Sequence, residues 1–278
     1  TMISNFTITI ITLTKNDNKG FSRTFLSVIN QRFYKNIEFL ILDGSAEEIY
    51  RENKNIIQNY LLKDLKFKDL IFFNHINMDQ KKIIGIYECM NYGLSKSKGK
   101  SIIFLNGGDS FFDKESLSKL DKFNSQFDHK RTITFGQANV ISKIGLSWEF
   151  PGSKLKNIKL WLKFFEPNHQ SMLVSSDIAK FTFFKEESKI SVDKFWKREV
   201  LSKANQFKYI NHPVCNFFLE GYSSKRPSRK ILVFQLNDKN ISKVRKLITI
   251  IKFLIIPSIY KYYAYIQRLK SLAIDFIF

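Results

Sequence analysis

Two patterns alternate along the first hundred residues. Residues 7–13 (TITIITL) form a run that is β-branched up to Leu13, the pattern of a strand. After a polar break, Phe21, Phe25, Val28 and Ile29 recur at the spacing of one helix face. Residues 37–42 are a second apolar run and end at Asp43-Gly44-Ser45. Strand, helix and strand in this order predict a βαβ unit and a parallel sheet. Residues 49–62 read as a helix and 70–73 as a third short strand. Residues 85–97 read as a helix with Tyr87, Met90 and Leu94 on one face, and 101–105 as a buried strand. Each strand stops at a polar turn on one edge of the sheet, and in open α/β sheets ligands bind at that edge.

Further along, Asp113 is a candidate helix N-cap ahead of a Leu117, Leu120 and Phe123 stripe. Residues 125–131 read as a polar loop. Residues 132–141 read as a strand that pairs in a hairpin with Gly145-Leu146-Ser147-Trp148. Trp148, Phe150, Trp161, Phe164 and Phe165 gather around Pro151-Gly152, either as a face on which a ligand ring such as a sugar stacks or as core or membrane-facing aromatics. From residue 225 the composition shifts. Residues 225–278 hold 12 of the 45 basic residues but only Asp238 and Asp275 of the 25 acidic ones. Ile259, Tyr262, Tyr263, Ile266, Leu269, Ala273 and Phe276 make an apolar helical face, with Lys261, Arg268, Ser271 and Asp275 opposite. Lys252 and Pro257 interrupt the apolar runs, so no membrane-spanning helix is expected. The division is therefore a domain over residues 1–224 and a basic helical appendage over 225–278. That appendage suits an anionic membrane surface or packing on protein.

Composition sharpens this picture in three ways. Hydrophobic content of 44% with 28 Phe supports a folded, aromatic-rich core. A formal net charge of +20 implies an anionic partner: nucleic acid, membrane or a phosphorylated ligand. Cys89 and Cys215 fit no paired or metal-binding spacing, so both are expected as free thiols. The amino terminus has no basic segment followed by an apolar core, so no leader is expected.

The candidate chemistry centres on Asn106-Gly107-Gly108-Asp109, a turn just past the 101–105 strand. Its glycines permit a sharp bend and a close approach to a ligand, and it delivers one carboxylate to the ligand-binding edge. Taken alone, it reads as either a surface turn or a binding turn. Its neighbours add to it. Gly85-Ile86-Tyr87-Glu88-Cys89-Met90-Asn91-Tyr92-Gly93, a basic linker, and then Ile102-Ile103-Phe104-Leu105-Asn106-Gly107-Gly108-Asp109 together resemble the middle of glycosyltransferase family 2, in the branch that builds bacterial surface polysaccharides. Thr12-Leu13-Thr14-Lys15-Asn16 and Asp43-Gly44-Ser45 resemble that family's first two turns. His169-Gln170, the Asp193 segment and the run 217–224 resemble its later motifs. The chain departs from the family at Ile83, where an Asp is usual, with Asp79 nearby but out of register. It also departs at Glu88, at Ala46 after the shortened Asp43 motif, and at Phe195.

The resemblance implies a GT-A fold: α/β, Rossmann-like, with a mostly parallel central sheet and flanking helices. It implies inverting transfer of a sugar from a nucleoside-diphosphate sugar to a hydroxyl of a capsule, O-antigen or exopolysaccharide glycan, one carried on lipid. It places Thr14, Asp43, Asn91, Asn106, Gly108, His169 and Gln170 at the donor and Asp109 on a divalent cation, Mg²⁺ or Mn²⁺. Asp193 becomes the general base. Together with the basic appendage, the resemblance implies a cytoplasmic enzyme, peripheral on the inner face of a bacterial membrane. A plainer role suits several of these residues as well. Asp43 also fits a helix cap, Asp193 a helix-start carboxylate, and His75 a strand-end structural residue. A nucleotidyltransferase on a similar sheet would need a glycine- and lysine-rich amino-terminal signature, which this sequence lacks. An edge rich in carboxylates argues against nucleic acid. A transferase fold without activity, or a basic membrane-surface binding protein, are the other readings.

Overall fold

A computed structural model describes residues 6–33, 35–62, 70–83, 85–152, 156–185 and 192–219, with residues 265, 268, 269, 271 and 272 of the tail. The elements, in order, are β1 (Ile8–Thr14), α1 (Asn18–Ile29), β2 (Ile37–Asp43), α2 (Glu47–Leu61), β3 (Ile71–Asn77), α3 (Ile86–Lys96), β4 (Ser101–Phe104) and β5 (Ser110–Phe111). There follow α4 (Ser116–Asn124), β6 (Thr132–Ile141), β7 (Ser147–Phe150), α5 (Ile158–Phe164), β8 (Met172–Ser175), α6 (Ser176–Ala179), α7 (Val192–Lys203) and β9 (Gln206–Phe218).

The strands make one sheet in the order β3-β2-β1-β4-β8-β6-β9-β5, with β7 paired to β6. β3, β2, β1 and β4 are mutually parallel, as the βαβ pattern requires. β8 runs antiparallel between β4 and β6, and the long β6–β9 pair is parallel again, so parallel pairing predominates. Both faces are covered. One face packs Phe21, Phe25 and Val28 of α1, Ile57 and Tyr60 of α2, and Leu117 and Leu120 of α4. The other packs Met90 and Leu94 of α3 with Val192, Trp196 and Val200 of α7. β1 and β2 are buried almost throughout, which is why apolar residues fall on both of their faces rather than alternating strictly with polar ones. α3 lies unusually close to the sheet: a Cβ at Gly93 would stand 2.8 Å from Ile11 Cγ2 and 3.0 Å from Leu42 Cδ1.

Several sequence expectations shift. β3 continues past Phe73 through the polar Asn74, His75 and Asn77. The N-cap of α4 is Glu115; Asp113 sits two residues earlier, its Oδ1 accepting the Glu115 N–H at 2.8 Å in a turn that feeds the helix. The 132–141 hairpin forms as expected, with Val140 opposite Trp148. Of the aromatic cluster, Trp161 is fully buried between Phe150 and Phe165, at ring distances of 5.5 and 5.7 Å. Trp161 is therefore core and offers no face to a sugar. In the tail, Ser271 is buried and donates to the Glu149 carbonyl of β7 at 3.1 Å, while Tyr265, Leu269 and Leu272 are exposed. The side expected to be polar thus faces the protein at Ser271, and apolar Leu269 faces outward. Among the described residues, no helix is long and apolar enough to cross a membrane.

Candidate functional site

Register brings the expected turns together at the carboxyl edge. Thr14, Asp43 and Asn77 lie side by side across β1, β2 and β3. β4 follows β1 with Ile11 opposite Phe104, so the acidic turn emerges beside Leu13 and Thr14. Gly107 N–H donates to the Leu13 carbonyl at 2.8 Å, and a Cβ at Gly107 would lie 3.0 Å from that carbonyl and from Thr14 Oγ1. Gly108 takes φ +100°, a left-handed backbone that a side chain would strain. The turn is locked from α1: the Thr24 hydroxyl donates to the Asp109 carbonyl at 2.6 Å and accepts the Gly108 N–H at 3.1 Å.

Two distant segments then fix the Asp109 carboxylate. β4 pairs with β8 so that Ile102 faces Val174, and extending this register sets Gln170 across from Asn106. Gln170 Oε1 accepts the Asn106 N–H at 2.7 Å, and Gln170 Nε2 donates to Asp109 Oδ2 at 2.6 Å. On the other side, β5 pairs with β9, Ser110 opposite Asn216. One step further along, the Phe218 N–H donates to Asp109 Oδ1 at 2.8 Å. Burial outweighs these donors and the nearby Arg23 charge, and pushes the Asp109 carboxyl up to about 7.

His169 stands next to Gln170 with its Nε2 3.4 Å from Asn106 Nδ2. Desolvation pushes its pKa down to about 4 against the opposing pull of the Asp193 carboxylate, so the ring is neutral at pH 7. Asp193 lies in the first turn of α7 and is half-buried. Burial raises its pKa, but the Lys197 ammonium at 3.2 Å, the His169 ring and the Lys194 N–H together outweigh this and keep the carboxyl below its ordinary value. Asp109, Asn106, Gly108, Gln170 and His169 therefore form one connected set, with Asp193 near enough for its charge to act on His169. Phe195, which stands where the family has a second acid, is exposed.

Asp43 forms a second centre and has no exposed surface. Its Oδ1 accepts the Ser45 N–H at 2.9 Å; its Oδ2 accepts from Asn53 Nδ2 at 2.8 Å and contacts His75 Nε2 at 3.0 Å. Burial raises the Asp43 pKa, but these partners outweigh it and hold the carboxyl below its ordinary value. His75 is stacked on Tyr50 at a ring distance of 4.4 Å. Asn91, expected at the donor, instead clamps backbone: its Nδ2 donates to the Phe184 carbonyl at 2.9 Å and its Oδ1 accepts the Phe184 N–H at 2.8 Å. Ile83 joins the apolar cluster under α3, and Glu88 accepts the Gly85 N–H at the start of that helix at 3.3 Å.

Sequence reasoning missed Arg23, Thr24, Asn53 and the Phe218 backbone. A hydroxyl and an arginine one helical turn into α1 carry no motif, and a backbone donor is invisible in sequence. Unused hydrogen-bonding capacity also collects at this edge: Thr14 Oγ1, His75 Nδ1 and Asn106 Oδ1 are buried without partners. Among the described residues, no group of three His, Cys, Asp or Glu could hold a metal by itself. Asp109 keeps two unused lone-pair positions, and with Asn106 Oδ1 it offers hard oxygen donors. That set fits a cation which draws its remaining ligands from phosphate and water.

Comparison with solved structures places this geometry. S. aureus TarS residues 1–349 in complex with UDP-GlcNAc superposes with a TM-score of 0.59 at 18% identity, covering 90% of this chain and 72% of that one. The fold is the GT-A fold. The mannosyltransferase PcManGT from Pyrobaculum calidifontis, in complex with GDP-Man and Mn²⁺, matches with a TM-score of 0.50 at 11% identity, over 96% of this chain and 72% of that one. Against the longer S. aureus TarS structure the chain spans 43% of the length, with a TM-score of 0.54 at 16% identity. No protein-family model and no curated protein matches the sequence.

Proposed function

We propose that this protein transfers a glycosyl group from a nucleoside-diphosphate sugar to an acceptor hydroxyl with inversion. The observation that carries this is the meeting of three distant segments on Asp109, at the ligand-binding edge of a fold solved elsewhere with UDP-GlcNAc and with GDP-Man and Mn²⁺. Thr14 and the Asp43–His75 pair bound the nucleoside end, with Asp43 acting through the groups it orients. Asn106 and Gly108 shape the turn under the diphosphate. Asp109 and Asn106 would hold Mg²⁺ or Mn²⁺ jointly with the donor; when bound, the cation neutralises charge building on the leaving diphosphate. Neutral His169 with Gln170 holds the turn and faces the sugar. Asp193, ionised at pH 7, accepts the acceptor's proton as the anomeric carbon is attacked from the opposite side.

The acceptor we infer is a growing, lipid-linked bacterial surface glycan. The basic appendage holds the enzyme on the inner face of the membrane; most of it lies outside the described residues. The exposed Leu269 and Leu272 support a role for it at a surface. The test is donor turnover across UDP- and GDP-sugars with Mn²⁺ or chelator, for the wild type and Asp109→Ala. Metal-dependent cleavage of one donor, abolished in a folded Asp109→Ala, is the expected result. Activity unchanged in Asp109→Ala or by chelation excludes the scheme. Absence of turnover with every donor favours a binding protein on this fold.

A further inference from the structure

Arg23 belongs to none of the motifs, yet it touches both sides of the acidic turn. Its Nη1 donates to the Gly108 carbonyl at 2.9 Å. Its guanidinium carbon lies 4.2 Å from the centre of the Phe218 ring. Gly108 directly precedes Asp109, and Phe218 supplies the N–H that Asp109 Oδ1 accepts. A planar guanidinium can donate in its plane and stack through its face at once, whereas an ammonium satisfies only one of those geometries.

We propose that Arg23 is a positioning residue that staples the Gly108 side of the turn to the Phe218 end of β9, and so fixes where the Asp109 carboxylate meets a cation–diphosphate ligand. Gly108 lacks a Cβ and sits at φ +100°, a conformation other residues rarely adopt, and Arg23 holds its carbonyl. Phe218 is the last residue of β9, where ladder pairing ends. Thr24 and Gln170 brace the turn, and Phe218 pairs with Ile141 of β6; Arg23 adds a side-chain tie between the two segments. The inference rests on Asp109 being the cation ligand proposed above. Arg23 is solvent-exposed, so its loss removes the coupling without opening the core.

The experiment titrates UDP and, separately, GDP into the full chain by calorimetry, with Mn²⁺ and with chelator. The proteins are the wild type, Arg23→Ala, Arg23→Lys and Phe218→Leu. Arg23→Ala is expected to lose about tenfold of the Mn²⁺-dependent gain in nucleotide affinity, with metal-free affinity held within about twofold of wild type. Arg23→Lys recovers part of the loss. Phe218→Leu keeps its N–H but loses the ring, and so reproduces part of the Arg23→Ala effect; combining the two adds nothing beyond Arg23→Ala. Should Arg23→Ala fail to fold, Phe218→Leu carries the test. A full Mn²⁺ gain in Arg23→Ala overturns the inference. So does an equal loss with and without metal, which would make Arg23 a direct phosphate ligand. A wild type showing no Mn²⁺ gain instead removes the cation assignment on which the inference stands.

Discussion

Gln170 and Asp109 meet at 2.6 Å, amide nitrogen to carboxylate oxygen, across 61 positions of sequence. The same amide accepts the Asn106 N–H, so one side chain binds both ends of the turn. A primary amide, with a donor and an acceptor on one planar carbon, meets both demands at once. Glutamate would set a second carboxylate against Asp109, and leucine would leave both buried partners bare. We expect Gln170→Leu to lower unfolding free energy by about 1–3 kcal/mol and Gln170→Glu to reduce kcat by roughly 10²-fold through displacement of the turn. Urea unfolding and steady-state kinetics on the same preparations check both.

Asp109 carries a cost of its own. Its pKa is raised to about 7 from a reference of 3.8, so between these pH values the folded state holds the proton more tightly than the unfolded state. Stability from this group therefore falls as pH rises from about 4 to about 7 and is flat above. Without nucleotide and with chelator present, Asp109→Asn should unfold at a higher temperature than wild type at pH 8. The advantage, on the order of 2 kcal/mol after the lost hydrogen bond is set against it, should shrink as pH falls and reverse near pH 4, where only the lost hydrogen bond remains. Melting curves across that range decide the matter; a difference independent of pH would contradict it.

Asn91 gives the opposite expectation. Both ends of its amide serve the Phe184 backbone, ahead of the Phe184–Trp196 stack at 4.9 Å. Asn91→Ala should cost about 1–3 kcal/mol of stability while leaving the KM for the donor within about twofold. A large rise in donor KM with unchanged stability would return Asn91 to the donor site.

The appendage can be tested by removal. Truncation after Asn240 is expected to leave the sheet folded and to abolish co-sedimentation with anionic vesicles. Binding by the full chain should weaken at high salt, since each basic residue near an anionic surface contributes about 1 kcal/mol. Equal sedimentation of both forms, or unfolding of the truncated one, would assign the appendage to packing through contacts such as Ser271 with β7.

The parallel half of the sheet was legible because residues 7–13, 37–42 and 101–105 carry apolar residues on both faces and so leave short runs rich in Ile, Leu, Phe and Thr. β9 was not, because half of its positions are partly exposed and Pro213 lies within it, opposite an irregular stretch of β6. Asp109 and Gln170 could be named from motif order. That they touch could not, since the contact depends on β8 running antiparallel beside β4. His75 looked structural, and its contact with Asp43 arises because β3 extends beyond its apolar stretch. Phe218 contributes through its backbone, where side-chain identity carries no signal.

The late arrival of Phe218 has a consequence for synthesis. Its N–H reaches back 109 residues to Asp109. At about 5–20 residues per second, roughly 5–20 s separate translation of the acidic turn from that of its final donor. Through that interval the early strands and helices can pack on the ribosome, and Thr24 and Gln170 can brace the turn, while Asp109 Oδ1 still lacks its Phe218 donor. In the proposed transferase, nucleotide capture is thereby deferred until β9 has emerged, and a chain released prematurely before residue 218 would keep much of the scaffold yet lack a finished site.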